Sequence, residues 1–242
     1  MNRVGIRSLV ALGAIVASGR AARAVDPPDL RINGFTGLVE TVDAAWSGTN
    51  YNVRYTVASG AGLQAGSILL TSNPANDVDP RIVLSATGDT YVVWWRDTTP
   101  TVVTYRKQTG FTGNWGAECM VGMASESNSR PRLAYGGDRV WVAYQIQGSK
   151  SKSVGVQIID DDPEPVRHIV ATTSYPGDLD VQIQAEAGQL WVSWIDTNSR
   201  VGYSQYIEGK GVWVAPAYES FAGDSIAAAR SRIRQYVLCA VP

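Results

Sequence analysis

The sequence predicts an all-β protein assembled from one repeated four-stranded unit. Three observations carry that prediction. A marker of the form x-Arg-Ile or x-Arg-Leu recurs at Arg31, Arg81, Arg132 and Arg232, with Gln182 in the fourth place, and the successive spacings are 50, 51, 50 and 50 residues. Each marker is followed by short β-branched and aromatic runs separated by Gly, Asp and Asn turns, which is strand and hairpin chemistry. Aromatic usage is also skewed, with eight Trp and eleven Tyr against three Phe, and the Trp and Tyr concentrate in the middle runs of each unit. Four short strands at a period near 50 residues describe the blade of a β-propeller. One such unit has two apolar faces and can bury neither alone. Stacking neighbours buries both, and large flat side chains suit the wedge between them.

The chain opens with features of a secretory signal. Arg3 and Arg7 precede an apolar stretch from Ser8 to Ser18, and Ala22-Arg23-Ala24 has the small-x-small form of a cleavage site. An apolar run of about ten residues is half of the roughly 20 needed to span a bilayer. The expectation is cleavage after Ala24, a secreted or periplasmic product spanning residues 25–242, and no membrane span. Taking Arg3, Arg7, Arg20 and Arg23 from the 21 basic residues leaves 17 against 22 acidic ones, a formal charge of −5. That balance argues against nucleic acid, whose binders present a net basic surface.

The units follow in order, at about 29–78, 79–129, 130–178 and 179–229, with the start of a fifth at 230–242. First strands carry the markers. Second strands are Val42 to Trp46, Tyr91 to Trp95, Val140 to Tyr144 and Leu190 to Trp194. Third strands are Asn52 to Val57, Thr101 to Arg106, Ser153 to Ile158 and Arg200 to Tyr206, with Tyr55, Tyr105 and Tyr203 in equivalent places. Fourth strands are Ser67 to Leu70, Glu118 to Val121, Arg167 to Ala171 and about Val214 to Tyr218, and Trp115 and Trp213 occupy equivalent turns before them. The stretch Ala222 to Arg234 has the best helical composition and reads as a linker entering an inner strand. Four blades plus part of a fifth leave two architectures open: a four-bladed ring with an added strand, or a truncated form of a larger propeller. The second would expose blade faces and strand edges and favour self-association.

The pattern x-Pro-Arg-Ile, Gly-Asp-x-x-Val-Val-Trp-Trp, Tyr, Trp resembles the repeats of bacterial secreted propellers of the sialidase-like (BNR-repeat) type, over nearly all of residues 25–242 and at the level of repeat shape. The aspartate box of that group, Ser-x-Asp-x-Gly-x-x-Trp, is degenerate here. Its nearest match, Tyr206 to Trp213, keeps the place and the Trp but lacks the Ser and Asp. The resemblance implies a propeller fold. A sialidase would also use three arginines to clamp a carboxylate, a Tyr–Glu nucleophile pair and an acid/base Asp. Arg31-Ile32 resembles the first-strand Arg-Ile-Pro of the family, with Asn33 in place of the Pro.

The markers hold the most distinctive repeated chemistry. In a propeller the first strand lines the central channel, so Arg31, Arg81, Arg132, Gln182 and Arg232 are expected around one mouth, met by turns carrying Asp97 and Asp196. Guanidinium donates two parallel hydrogen bonds to a carboxylate, so such a mouth suits an anionic or hydroxylated ligand. The competing expectation is that each Arg pairs with Asp29, Asp79 or a neighbouring blade and locks the ring. Asp97, Asp196 and Glu208 are the carboxylates from which a hydrolytic pair could be built. Asp160 to Asp162 with Glu164 read as a solvated loop, lacking the alternation and Gly turn of a calcium loop. His168, the single histidine, has no partner at ligand spacing. Cys119 and Cys239 read as buried thiols, with a disulfide as the alternative. No cofactor, metal or catalytic residue is expected. The resulting functional expectation is an exported, non-catalytic binding or scaffold module, with a carbohydrate or surface protein as partner. The alternative is a truncated or degenerate sialidase-like glycoside hydrolase.

Overall fold

The computed structural model describes residues 28–34, 36–58, 64–110, 114–160, 167–173, 179–186, 189–195 and 200–220. The signal segment, Asp161, Asp162, Glu164, Asp196, the stretch 222–234 with Arg232, and Cys239 lie outside the described residues. The described residues form four antiparallel sheets, each built from strands consecutive in sequence. The first contains β1 (Asp29–Ile32), β2 (Val39–Trp46), β3 (Tyr51–Ala58) and β4 (Gln64–Leu69). The second contains β5 (Asn76–Leu84), β6 (Thr90–Asp97), β7 (Val102–Gln108) and β8 (Cys119–Val121). The third contains β9 (Ser127–Gly136), β10 (Arg139–Gln147), β11 (Lys152–Ile158) and β12 (Arg167–Thr173). The fourth contains β13 (Asp180–Glu186), β14 (Gln189–Ile195), β15 (Arg200–Ile207), β16 (Val212–Trp213) and β17 (Ala217–Ser220). Among the described residues the one helical turn is a 3-10 turn at Glu208–Lys210. None of their helices is long and apolar enough to cross a membrane.

The strands agree with the sequence expectation in number and order. One departure is the fourth strand of the last blade, expected near 214–218. It is split into β16 and β17, both paired to β15, because Pro216 has no amide to offer the ladder. A second departure concerns Cys119, expected as a buried thiol. It is exposed, since β8 is a short outer strand that turns Val121 inward and leaves Cys119 and Met120 in solvent.

Three apolar layers hold the blades together. Val42, Val53, Tyr55 and Leu70 of the first blade pack on Ile82, Val92 and Trp94 of the second. Tyr91, Val93, Val103 and Val121 meet Val140, Val142, Tyr144 and Ile146 of the third. Trp141, Ala143, Val154 and Val156 meet Val181, Ile183, Leu190, Val192 and Trp194 of the fourth. Alternation along β6 and β10 is what lets each of these strands serve two layers. Val92 and Trp94 face the first blade while Tyr91 and Val93 face the third. The two turn tryptophans do the same work twice: Trp115 reaches back to Tyr55 edge-on at 5.1 Å, and Trp213 reaches back to Trp141 at 6.1 Å. The first strands of successive blades touch one another, and the principal packing joins first to second, second to third and third to fourth blade. No comparable packing joins the fourth to the first among the described residues.

Close approach fixes two glycines. Gly155 lies across the ladder from Tyr144 and Gly202 from Trp194. An added Cβ would sit 2.7 Å from Tyr144 Cζ and 2.2 Å from Trp194 Cε2. Each glycine makes the floor on which a buried ring lies flat.

The inner strands of the middle blades are bulged. Asp79-Pro80 and Arg130-Pro131 each place two residues opposite one on the partner strand. Asp79 and Arg130 take positive φ of 52° and 55°, while the following Pro has no amide to lose. The first and fourth blades, with Leu30 and Val181 in the Pro place, pair without a shift.

Candidate functional site

The bulge in β5 decides where the marker arginines go. It carries the Asp79 carboxylate out of the ladder, where it holds Arg81 of its own blade and accepts from Arg132 Nη1 of the next at 2.8 Å. Arg132 Nη1 also donates to the Pro131 carbonyl at 2.8 Å. Arg31 sits elsewhere. Its guanidinium is held by Glu40, which also accepts from Asn33 Nδ2 at 2.6 Å, and it donates to Thr90 Oγ1 of the second blade at 2.6 Å. Burial, reinforced by Glu40, pushes the Tyr55 phenol well above its ordinary range. Asp29 accepts from the Ile82 amide at 2.9 Å. Gln182 is exposed on the outward side of β13, 3.5 Å from Asp180. The structure therefore brings Arg81 and Arg132 together, sets Arg31 nearer the β5–β6 hairpin, and leaves Asp97 exposed at the far end of β6.

Beside Asp97 lies a cluster that the sequence reading missed. Asp77 is completely buried and accepts from Arg96 Nε at 2.8 Å and Asn73 Nδ2 at 2.5 Å, and Arg96 bonds Glu118 through both terminal nitrogens at 2.7 and 2.9 Å. Burial alone would lower the Arg96 pKa. Glu118 and Asp77 outweigh it and raise the guanidinium further. The available signal was register, since Asp77 and Arg96 face each other across β5 and β6.

At the opposite end of the inner strands the second and third blades part to form an open cleft of about 610 Å³. Its floor is Tyr91 and Val140. One wall is the β5–β6 turn with Asp89, together with Lys107 of β7. The other is the two-residue β9–β10 turn with Asp138, flanked by Tyr135, Arg139 and Asp160. Gly137 and Asp138 both have positive φ, the conformation that tight hairpins favour. The polar groups are fixed. Asp89 accepts from the Gly110 amide at 2.8 Å and pairs with Lys107 at 3.1 Å. Desolvation would raise its pKa, but the Gly110 amide and Lys107 outweigh that and hold it below the usual value. Tyr135 donates to Asp138 Oδ1 at 3.2 Å, and burial with Asp138 pushes its phenol up. Arg139 lies 3.9 Å from Asp160 and continues into a smaller cavity of about 50 Å³ against Trp141, Tyr206 and Glu208. Glu208 is thus at the cleft end of the blades and Asp97 at the other, so these two carboxylates do not converge. Among the described residues no group of three His, Cys, Asp or Glu is placed to hold a metal ion.

No family model and no curated protein matches the sequence. Solved structures do match in shape. A leech intramolecular trans-sialidase, complexed with 2,7-anhydro-Neu5Ac, superposes with a TM-score of 0.60 at 9% identity, over 81% of this chain and 50% of that one. A protein of unknown function from Dyadobacter fermentans gives 0.55 at 12% identity, over 78% and 51%. An exo-β-1,3-galactanase from Phanerochaete chrysosporium gives 0.52 at 10%, over 78% and 49%. The fold is a β-propeller. At such identities the likeness establishes architecture alone, and the chain spans about half the length of each of these neighbours.

Proposed function

We propose that this chain is an exported, non-catalytic propeller that binds a polyhydroxylated, carbohydrate-like ligand in the cleft between its second and third blades. The observation that carries this reading is the cleft itself. It is open to solvent, and Asp89, Lys107, Tyr135 and Asp138 are each held in place by a neighbour before any ligand arrives. Such groups lose little freedom on binding, which favours affinity. Sialidase and galactanase among the structural neighbours favour a carbohydrate. In this reading Asp79, Arg81, Arg132, Arg31 and Glu40 lock blade to blade, since each guanidinium already has a carboxylate partner.

The test is a glycan array on residues 25–242, run beside fluorogenic sialoside and galactoside assays. Binding that drops at least tenfold in Asp138→Asn and Lys107→Gln, but persists in Arg81→Gln, supports the cleft. Loss of binding in Arg81→Gln with an intact fold moves the site back to the channel mouth. Turnover above buffer makes the chain a glycoside hydrolase and sinks the non-catalytic reading.

A further inference from the structure

We propose that the outward face of the fourth blade seats residues 230–242 of this same chain, laid down as the innermost strand of a fifth blade and fastened by an Asp180–Arg232 ion pair. Three observations converge on it, none of which depends on the ligand reading.

The face itself is built for a neighbour. Val192 and Trp194 point at the third blade, so Trp191, Ser193 and Ile195 point away from it, beside Val201 and Tyr203 of β15. Ser193 and Ile195 are only 4% and 3% exposed, although no described sheet packs on that side. The matching positions of the first blade's outward face, Thr41, Asp43 and Ala45, are half-buried.

The second observation is a rule within the repeats. The residue two before a marker predicts the next marker. Asp29 precedes a blade marked by Arg81, and Asp79 one marked by Arg132. The third blade has Arg130 in the carboxylate place, and the next marker is Gln182, the one position that lacks a guanidinium. Asp180 restores the carboxylate, and Arg232 restores the arginine. The structure supplies the reason: Asp79 binds Arg132 of the following blade at 2.8 Å, and Asp29 binds the backbone beside Arg81 at 2.9 Å. Like charge at Arg130 would repel an arginine at Gln182.

Reach and direction agree as well. Asp180 and Gln182 lie on the outward side of β13, because Val181 and Ile183 face the third blade. Six, five and six residues carry the chain from β4 to β5, β8 to β9 and β12 to β13. Nine separate Ser220 from Arg230, which at about 3.3 Å per extended residue crosses a four-stranded sheet of roughly 4.8 Å spacing.

The experiment uses residues 25–242 throughout. In a Cys119→Ser, Cys239→Ser background, Asp180→Cys with Arg232→Cys is treated with a short bifunctional thiol reagent. The expected product is a cross-link within one chain. A cross-link formed only between two chains would mean that a second copy occupies the face and would overturn the proposal. In parallel, Asp180→Arg and Arg232→Asp are each expected to speed trypsin cleavage after Arg230 and Arg234 at least about tenfold, the order for stranding one partner of a charged hydrogen bond. Combining them should restore protection to within about twofold. A double variant cleaved as fast as the singles refutes the pairing.

Discussion

Asp79→Asn isolates the blade-to-blade lock. Asparagine keeps the shape of the side chain and tolerates the φ of 52° better than most residues, so the bulge survives and only the charge is lost. Two guanidiniums then face a neutral amide. The Asp79 side chain is 7% exposed, and those of Arg81 and Arg132 are 18% and 19%. Removing one partner from a buried ion pair costs about 3–5 kcal/mol, and partial exposure of the arginines screens some of that, so the lower end, about 3 kcal/mol, is expected. For a chain of this size each kcal/mol moves Tm by roughly 2–4 °C, which gives a fall of about 6–12 °C. Thermal and urea unfolding followed by tryptophan fluorescence would read it, because Trp94 and Trp194 are fully buried. The control is Asp43→Asn, whose partner Arg54 is 46% exposed and whose loss should cost under about 0.5 kcal/mol. If Asp79→Asn destabilises no more than Asp43→Asn, the carboxylate does not hold the second and third blades together and the pairing rule across the repeats loses its cause.

Two further outcomes follow from packing and burial. Gly202→Ala places a Cβ 2.2 Å from the Trp194 ring, and the overpacking should cost about 1–3 kcal/mol in urea unfolding, with a shift in tryptophan emission; a neutral result would show that the ring is free to move. Burial lowers the pKa of His168 below its ordinary 6.5, so the folded state takes up a proton less readily than the unfolded chain; stability from this group is complete above pH 6.5 and is lost as pH falls through the window below it. His168→Gln should flatten that slope in the urea midpoint measured from about pH 7.5 to about pH 5.5, and an unchanged slope would assign the pH dependence to other groups.

Much of the fold was legible because its causes are local. The second strands of the middle blades alternate apolar residues that serve two layers, most hairpins are marked by Gly, Asp or Asn, and Pro80 and Pro131 flag the two inner-strand bulges. The site was less legible, for a geometric reason. Equal spacing of the markers does not give equal height in the sheet. Six residues, 33–38, close the first hairpin, where Ser85–Asp89 close the second with five and Gly137–Asp138 the third with two. Arg31 therefore lies one residue from the end of its strand while Arg81 lies three from the end of its own, and Arg31 bonds Thr90 instead of joining Arg81 and Arg132. The cleft was illegible for a different reason. Asp89, Lys107, Asp138 and Asp160 come from two blades and sit in or beside turns, where polar residues are ordinary, so only the stacking of blades shows that they face one another. Asp77 looked equally ordinary until burial and the Arg96–Glu118 pair gave it a role.

The two ends of the array differ in kind. The first blade turns outward Thr41, Asp43, Arg54 and Thr56, with Asp43 and Arg54 paired to each other. The fourth turns outward Trp191, Ile195, Val201 and Tyr203. Pressing the second face onto the first, as a head-to-tail assembly of two copies would do, strips water from the Asp43–Arg54 pair and sets it mainly against Trp191, Ile195, Val201 and Tyr203, a desolvation that apolar contacts do not repay. A segment that brings its own arginine to Asp180 incurs no such penalty. The two outward faces are therefore unlike, the fourth blade's the more apolar and the first blade's the more polar. Leu30 and Ile32, 61% and 70% exposed, are the apolar exceptions at that end, and both belong to β1. A cover for the first blade would need to satisfy that inner strand alone, while the rest of its face stays in water.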